Sequence, residues 1–247
     1  RVVAIYVTLE GKIPRTPLCN QKMLRQIFTE NDIDSLFNKA CAGKYELKDR
    51  YLVSQLAYVP LSLTEHNLLR LHQLISDKGE VYRKWVLPAA FSRNKKVRII
   101  EVPEVYCQAL EQYLDWYEQQ QDLPVEYRHN LGTHRGFSQK APALLNDRLT
   151  AFAMSERTVK KGINKQPTNL RTKVNTLLKK AGIDWATAKT FEDSLVIHLA
   201  KNTEHGEVAD LFGYSSRQVV ADKYNGNLLQ LSEAINNVYS RIKVTGY

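Results

Sequence analysis

Apolar residues recur at helical spacing in the last third of the chain. Phe191, Leu195 and Leu199 are four residues apart, which predicts one buried helix face. Thr190 is followed three residues later by Asp193, and this spacing predicts that the helix begins there with a capping box. A second, shorter apolar face spans residues 208–212.

Glycine and serine set the borders of the next two predicted helices. Gly213 directly follows the short apolar face and is typical of the residue that ends a helix. Ser215 and Ser216 then open a third helix, which runs to Tyr224. The segment from 187 to 224 is therefore predicted to hold three consecutive helices.

The same signals predict helices earlier in the chain. Capping patterns at 29–32 and 62–65 begin two of them, with expected ends near 43 and 79, and Pro60 stops a helix that covers 47–59. A longer helix starts after Pro103, another covers 168–182, and a last one covers 228–238. Residues 122–150 are rich in turn formers and give no clear pattern.

Two short β-branched runs, 85–87 and 97–102, predict an antiparallel hairpin. The predicted fold class is therefore mainly α with a small antiparallel β-sheet. Residues 1–27, with a β-like run followed by prolines, are interpreted as an upstream segment or linker, and residues 28–247 as one domain.

The charge of the chain points to a polyanionic partner. Its 247 residues carry a net charge of +9 and an isoelectric point near 9.3, which favours nucleic acid before an anionic membrane. The segment 155–180 concentrates this charge and opposes eight basic residues to the single acid Glu156. We predict a duplex DNA surface there, with an ordinary solvated face as the alternative. The eight are Arg157, Lys160, Lys161, Lys165, Arg171, Lys173, Lys179 and Lys180.

Other function classes find no support in the sequence. No run of 18 apolar residues suggests a membrane span, and the three cysteines are too few and too scattered for a disulfide framework. No metal-ligand spacing and no glycine-rich phosphate loop is present, so we expect neither metal nor cofactor. The expected location is cytoplasmic or nucleoid-associated.

Residues 187–224 resemble the C-terminal active-site segment of the tyrosine recombinase (phage integrase) family. Residues 211–216, LFGYSS, stand where this family has L-L-G-H-S-S, and Tyr214 takes the place of a histidine. The family's nucleophilic tyrosine follows about nine residues later, whereas Tyr224 follows Tyr214 by ten. Lys189 stands at the position of the other histidine, and Glu192 at that of an arginine.

The resemblance extends to the first half of the chain. Residues 48–65 follow the order of the family's first catalytic helices, with Glu65 matching a family glutamate and Ser62 replacing the first catalytic arginine. The basic turn at 92–96 resembles the family's lysine hairpin, so Lys95 or Lys96 would be the acid that protonates the leaving oxygen. The resemblance also implies self-association through the C-terminal helix.

The implied reaction is attack of a tyrosine on a DNA phosphate, with two arginines holding the phosphate oxygens. Ser62 and Glu192 cannot supply these guanidinium groups, and Lys189 and Tyr214 replace the histidines. We therefore expect a DNA-binding integrase-like protein of recombination or mobile-element upkeep that has lost ordinary cleavage. The alternatives are a diverged but active recombinase that uses Tyr224, and a basic helical module for RNA or protein.

Each candidate residue also has a plain structural interpretation. Tyr224 would be an interfacial tyrosine, Ser62 a helix cap, and Lys95 and Lys96 a solvated turn. Lys189 would be a solvated lysine ahead of a helix.

Overall fold

The computed structural model describes residues 26–129, 131–159 and 162–225. About half of this part of the chain is helical, and two short antiparallel hairpins interrupt the helices. The helices are α1 (Glu30–Ser35), α2 (Glu46–Tyr58), α3 (Leu63–Leu68), α4 (Glu104–Glu118), α5 (Thr168–Lys180), α6 (Ala188–Leu199), α7 (His205–Phe212) and α8 (Arg217–Asn225). A π-helical turn, Leu36–Ala40, continues α1, and short 3-10 turns lie at Leu71–Gln73, Val125–Tyr127 and His134–Gly136.

The strands form two separate two-stranded sheets. β1 (Lys84–Leu87) pairs with β2 (Arg98–Glu101), and β3 (Ser155–Val159) pairs with β4 (Gly162–Gln166). Trp85 and Ile100 are opposite one another on the buried face of the first hairpin, as period-2 alternation requires. The predicted fold class, mainly α with a small antiparallel β-sheet, is confirmed. The second hairpin lies in the basic segment 155–180, where the sequence analysis predicted no strands.

The core is centred on α2, which packs against α4 and α6. Three tyrosines at this interface are fully buried, and Tyr51 stacks on Tyr113 with ring centroids 4.4 Å apart. Tyr51 and Tyr106 both donate hydrogen bonds to Gln55 Oε1, at 2.8 and 2.7 Å. Because neighbours cover α2 on several sides, its buried polar groups need such partners.

The predicted capping boxes at 29–32 and 62–65 are confirmed. The Thr29 hydroxyl accepts from Asp32 N–H and the Asp32 carboxylate accepts from Thr29 N–H, and Ser62 and Glu65 do the same at α3. α2 ends just before Pro60, as predicted, and Gly213 follows α7 in the left-handed conformation. Local chemistry fixes these borders.

The prediction that the helix from 62 continues to 79 is wrong. α3 ends at Leu68, and the chain then extends. Leu71 N–H donates to Ala141 O, and Ala143 N–H donates to Leu69 O, both at 3.0 Å. The segment 141–143 thus pairs with the N–H of Leu71 and the carbonyl of Leu69, which a continued helix would have used in its own hydrogen bonds.

The predicted start of the helix at 190 is also wrong. α6 begins at Ala188, and its capping box is formed by Thr187 and Thr190. Asp193, which was assigned to the cap, instead binds Lys223. The apolar face through Phe191 and Leu195 is buried as predicted.

Several predictions fall on residues outside the described ranges. These are the β-like run near the start and the helix at 228–238 with its proposed self-association, while the division into a segment 1–27 and a domain 28–247 stays a prediction. Within the described ranges, no helix combines the length and the apolar character that a membrane crossing needs.

Candidate functional site

The residues selected by the sequence converge where α3, the loop between β1 and β2, α6, α7 and α8 meet. Ser62 lies at the beginning of α3, where its hydroxyl donates to Glu65 Oε2 at 2.7 Å and its N–H donates to the same oxygen at 2.7 Å. Ser62 is thus the helix cap that its plain interpretation predicted, and its hydroxyl is occupied by Glu65.

The buried Glu65 carboxylate forms an ion pair with an arginine of the hairpin made by β1 and β2. Arg98 of β2 donates to Glu65 Oε1 and also to the Leu211 carbonyl, at 2.6 Å. Arg93 N–H donates to Glu65 Oε1 at 2.7 Å. Arg98 therefore neutralises the Glu65 carboxylate and satisfies a carbonyl in the last turn of α7.

Glu192 is held by a second arginine from the same loop. The Arg93 guanidinium donates to both carboxylate oxygens of Glu192, at 3.2 and 3.1 Å, and Tyr214 donates to Glu192 Oε1 at 2.5 Å. Burial alone would raise the pKa of Glu192, but Arg93 and the hydrogen bonds hold it below its ordinary value. The negative charge of Glu192 is therefore compensated within the site.

Lys223 of α8 completes the arrangement. Its side chain is 7% exposed, and its ammonium binds the Asp193 carboxylate and donates to the Tyr214 hydroxyl at 2.8 Å. Two cations contact the Tyr214 ring, the Arg93 guanidinium at 4.9 Å and Lys223 Nζ at 5.0 Å from the ring centroid. Burial and Glu192 raise the pKa of Tyr214, so its hydroxyl keeps its proton.

These six charged side chains make one neutral unit, which we call the charge cluster. Its three cations oppose three carboxylates, and each member contacts a partner of opposite sign. Its members are Glu65, Arg93, Arg98, Glu192, Asp193 and Lys223. Because its charges cancel, the cluster leaves no net charge for an added anion, and loss of one member would leave a buried charge uncompensated.

Gly213 is packed directly against the charge cluster. Its φ of 67° is left-handed, and a Cβ atom at this position would lie 3.2 Å from Arg93 Cγ and 3.2 Å from Arg98 Cζ. Glycine at this position thus allows the left-handed conformation that ends α7, and it leaves room for Arg93 and Arg98 to pack against the backbone.

Lys223, rather than Tyr224, lies nine residues after Tyr214. The Tyr224 side chain is half-buried and packs against Ile27 and Ile197, with its ring 5.4 Å from that of His205. Tyr214 and Tyr224 both pack against the apolar cluster of α6, α7 and α8, and of the two adjacent α8 residues it is Lys223 that is hydrogen-bonded to Tyr214.

Lys95 and Lys96 are exposed on the loop that carries Arg93 into the cluster. Lys95 has a positive φ of 59°, and Asn94 Oδ1 accepts from Lys96 N–H at 3.0 Å, so the turn is tightly formed. Their assignment as an acid remains a prediction.

The basic segment divides into inward and outward residues. Lys173 is only 14% exposed and binds Asp49 at 2.9 Å and Asp147 at 3.0 Å, so the prediction that it lies on the outer face is wrong. The outward basic side chains are Arg171, Lys179, Lys180 and Lys165, the last paired with Glu156 at 3.1 Å. Lys160 and Lys161 lie outside the described residues.

A pocket of about 240 Å³ adjoins the charge cluster between α3, α5 and α6. Leu56, Leu61, Leu63 and Phe191 form much of its lining, and Ser62, His66 and Glu192 also contribute. Lys189, one of the predicted site residues, contributes to the pocket and is exposed, as is Arg171.

Sequence reasoning missed the three cations of the charge cluster. Arg93 stands in a turn with the appearance of a solvated basic loop, and Arg98 in a strand whose alternation gives no hint of a buried charge. The signal for Lys223 was the spacing, because it occupies the ninth position after Tyr214. In the described part of the chain, no group of His, Cys, Asp and Glu side chains could hold a metal ion.

No protein family and no curated protein sequence matches the chain. Among solved structures, XerA recombinase is similar to it with a TM-score of 0.58 and 16% sequence identity, over 87% of this chain and 62% of that one. The fold is tyrosine recombinase-like. A Tn1549 transposon integrase, solved in complex with transposon right-end DNA, matches with a TM-score of 0.51 and 12% identity, over 81% of this chain and 61% of that one.

The resemblance that the sequence suggested is thus confirmed at the level of the fold. This chain spans about three fifths of the length of either recombinase-like structure. At such low identity the likeness concerns the backbone arrangement, and the chemistry of the site has to be argued from its own residues.

Proposed function

We propose that this protein binds duplex DNA and acts in DNA recombination, integration or mobile-element upkeep without cleaving the strand by ordinary tyrosine chemistry. The observation that carries the proposal is the neutral charge cluster. It contains Glu192 and contacts Ser62 and Tyr214, three of the positions at which the resemblance implies a phosphate-binding catalytic site.

Transfer of a phosphate through a tyrosine requires positive donors aimed at the developing negative charge. Arg93 and Arg98 donate to carboxylates instead, and Lys223 is committed to Asp193. Loss of one such donor typically lowers a rate by about 10²–10³, so the loss of several would leave little cleavage.

Several features support binding to DNA. The chain carries a net charge of +9, and Arg171, Lys179 and Lys180 are exposed along α5. The Tn1549 integrase with the same fold was solved on DNA. A protein that neutralises several phosphates releases their counterions, so its affinity should fall steeply with salt.

Binding is tested by titrating a labelled random duplex at ionic strengths from 50 to about 200 mM. We expect a steep negative slope of log affinity against log salt. An affinity that does not change with salt, or no binding at the lowest salt, would refute DNA binding and favour the alternative of a helical module that binds protein. Equal binding of double-stranded RNA would favour the RNA alternative.

Cleavage is tested with a library of nicked duplexes that trap covalent intermediates, followed by denaturing electrophoresis. We expect no slowly migrating adduct from the unmodified protein. An adduct that disappears in Tyr224→Phe would establish the active, diverged recombinase instead. The proximity of His205 to the Tyr224 ring is the feature that favours this second candidate, because a histidine can accept the proton of an attacking hydroxyl.

A further inference from the structure

The hairpin made by β1 and β2 presents apolar side chains on both of its faces. Trp85 and Ile100 point into the core. An antiparallel sheet that packs one face on the core normally presents polar residues to water on the other. On this outer face, however, Val86 and Ile99 are opposite one another and are each more than half exposed, as is Val97. The outer positions thus lack the polar character that water alone would favour.

These exposed apolar side chains are gathered in one place. Seven large apolar side chains are exposed in the described residues, and four of them belong to this hairpin and its approach, namely Tyr82, Val86, Val97 and Ile99. Val102 N–H donates to Arg83 O at 2.9 Å, so the alternation of the ladder makes 86 and 99 a pair without mutual hydrogen bonds, in which side chains come closest. A contiguous apolar patch of this kind marks a contact surface.

One base and one acid flank the apolar patch. Lys84 and Glu101 are opposite one another in the register and lie on the same outer face as Val86 and Ile99. Lys84 Nζ is 3.7 Å from Glu101 Oε2, and the two side chains are 63% and 75% exposed. Because an exposed ion pair of this kind contributes little to stability, both groups are available to a partner. We call the surface formed by 84, 86, 97, 99 and 101 the hairpin face.

The hairpin face is complementary to a second copy of itself. A two-fold axis that runs along the strands, midway between β1 and β2, lays β1 of one copy over β2 of the other. Lys84 then faces Glu101 of the second copy, and Val86 faces Ile99 of the second copy, each contact occurring twice. Symmetric dimers use such self-complementary patches. A partner with a single sign of charge would meet a like charge at Lys84 or at Glu101, so the charges favour a second copy.

We propose that two copies of this protein associate through the hairpin face, with the outer sides of β1 and β2 packed together about a two-fold axis. The exposed cations of α5 are not part of this surface, since α5 packs against α3 and α6, whereas the hairpin packs beside Leu71–Gln73 and α7. The association therefore does not depend on the proposed function and leaves α5 free for DNA. The patch is small, so the dimer is weak and forms in a concentration-dependent way.

Sedimentation equilibrium of the whole chain without DNA tests the association. Over concentrations from about 10 µM to 1 mM, we expect the average mass to rise with a dissociation constant inside that range. The rise begins at the monomer mass of 28.4 kDa and approaches twice that value. A chain that stays monomeric at every concentration would overturn the proposal and leave the hairpin face to a different protein.

Two charge variants test which groups meet. Lys84→Glu gives each face two acids and Glu101→Lys gives each face two bases, so either variant alone should associate at least about tenfold more weakly. An equimolar mixture should associate nearly as well as the unmodified protein, because an acidic face then meets a basic one. Each variant breaks the pair within its own chain, so only a contact between copies explains a gain on mixing. A mixture that associates no better than the separate variants would overturn the arrangement.

A valine variant tests the apolar part of the surface. Val86→Thr keeps the shape of the side chain but puts a hydroxyl into the contact twice, so we expect the dimer to weaken by about fivefold or more. Val125→Thr is the matched control, because Val125 is exposed and lies outside the hairpin face, and it should change the dissociation constant by less than about twofold. Equal effects would overturn the proposal and assign the association to another surface, such as the C-terminal helix.

Discussion

At the scale of single residues, each acid of the charge cluster pairs with a base from another element. Arg93, from the loop between β1 and β2, binds Glu192 of α6. Lys223 of α8 similarly pairs with Asp193. A buried charge without a partner is costly, so these pairs explain how the acids are accommodated in the packed site.

Lys223→Met tests whether the charge cluster stabilises the fold. Removal of the ammonium leaves Asp193 short of a partner and Tyr214 without a donor, so we expect a loss of about 3 kcal/mol in the free energy of unfolding. Chemical denaturation measures it, with the exposed Lys96→Met as the matched control. The double variant Lys223→Met with Asp193→Asn should recover part of the loss, and a loss no larger than that of the control would contradict the cluster's role.

Gly213→Ala tests the close approach of the arginines. A left-handed φ costs a non-glycine residue about 1–2 kcal/mol, and the new Cβ would additionally press on Arg93 and Arg98. Gly182→Ala is the control, because Gly182 has a φ of 79° with no atom within 4 Å of an added Cβ. We expect Gly213→Ala to lower the melting temperature clearly more than Gly182→Ala, and equal shifts would show that the φ angle alone matters.

At the scale of elements, α5 serves two surfaces. Leu170, Val174 and Leu177 are buried, and Lys173 lies at the edge of this face, where it meets Asp49 and Asp147. Lys173 and Lys48 together hold the loop at 147 against α2, since Lys48 Nζ lies 2.5 Å from Asp147 Oδ1. The outward side of the same helix carries the exposed cations.

The two sides of α5 should respond differently to loss of charge. Lys173→Gln is expected to lower the free energy of unfolding by about 1–2 kcal/mol, since Asp49 loses a partner and keeps Lys48 at 3.4 Å. Lys179→Gln should leave stability unchanged and reduce the salt slope of DNA binding by about one. Denaturation and duplex titration of both variants provide the comparison. A reversed pattern would mean that the inward and outward assignments are wrong.

At the scale of the whole molecule, two neutral histidines, the buried His66 and the half-buried His198, link stability to pH. Burial lowers the pKa of His66 to about 3, and burial followed by Lys201 lowers that of His198 to about 4. In the unfolded chain both bind a proton near pH 6.5. Folding therefore releases protons between these values, and stability is full above pH 6.5 and falls as the pH drops below it.

We expect the free energy of unfolding to fall by roughly 1.4 kcal/mol per pH unit for the buried His66 between pH 6.5 and 5, and by less for the half-buried His198, which solvent screens. The carboxylate Glu192, whose pKa is lowered from 4.5, adds its own loss only below that value. His66→Gln should flatten the slope measured by denaturant titration at several pH values. An unchanged slope would contradict a buried neutral His66.

The sequence by itself determined the elements whose causes are local. Capping boxes at Thr29 and Ser62, the stop before Pro60 and the glycine after α7 each depend on residues within a few positions, and all four were predicted correctly. The apolar periodicity also gave the order of most helices. The expectation of a tyrosine recombinase-like fold came from the motif resemblance of residues 187–224 and 48–65, because periodicity alone does not say which helices pack together.

Only the tertiary structure decided the composition of the site. Arg93 reaches Glu192 across 99 residues, and Arg98 reaches Leu211 across 113. No local pattern encodes such pairs, since they depend on which loop lies over which helix, and the same holds for the early end of α3 at its contact with residues 141–143. Lys223 rather than Tyr224 contacts Tyr214 because the packing of α8 determines which of two adjacent side chains points inward.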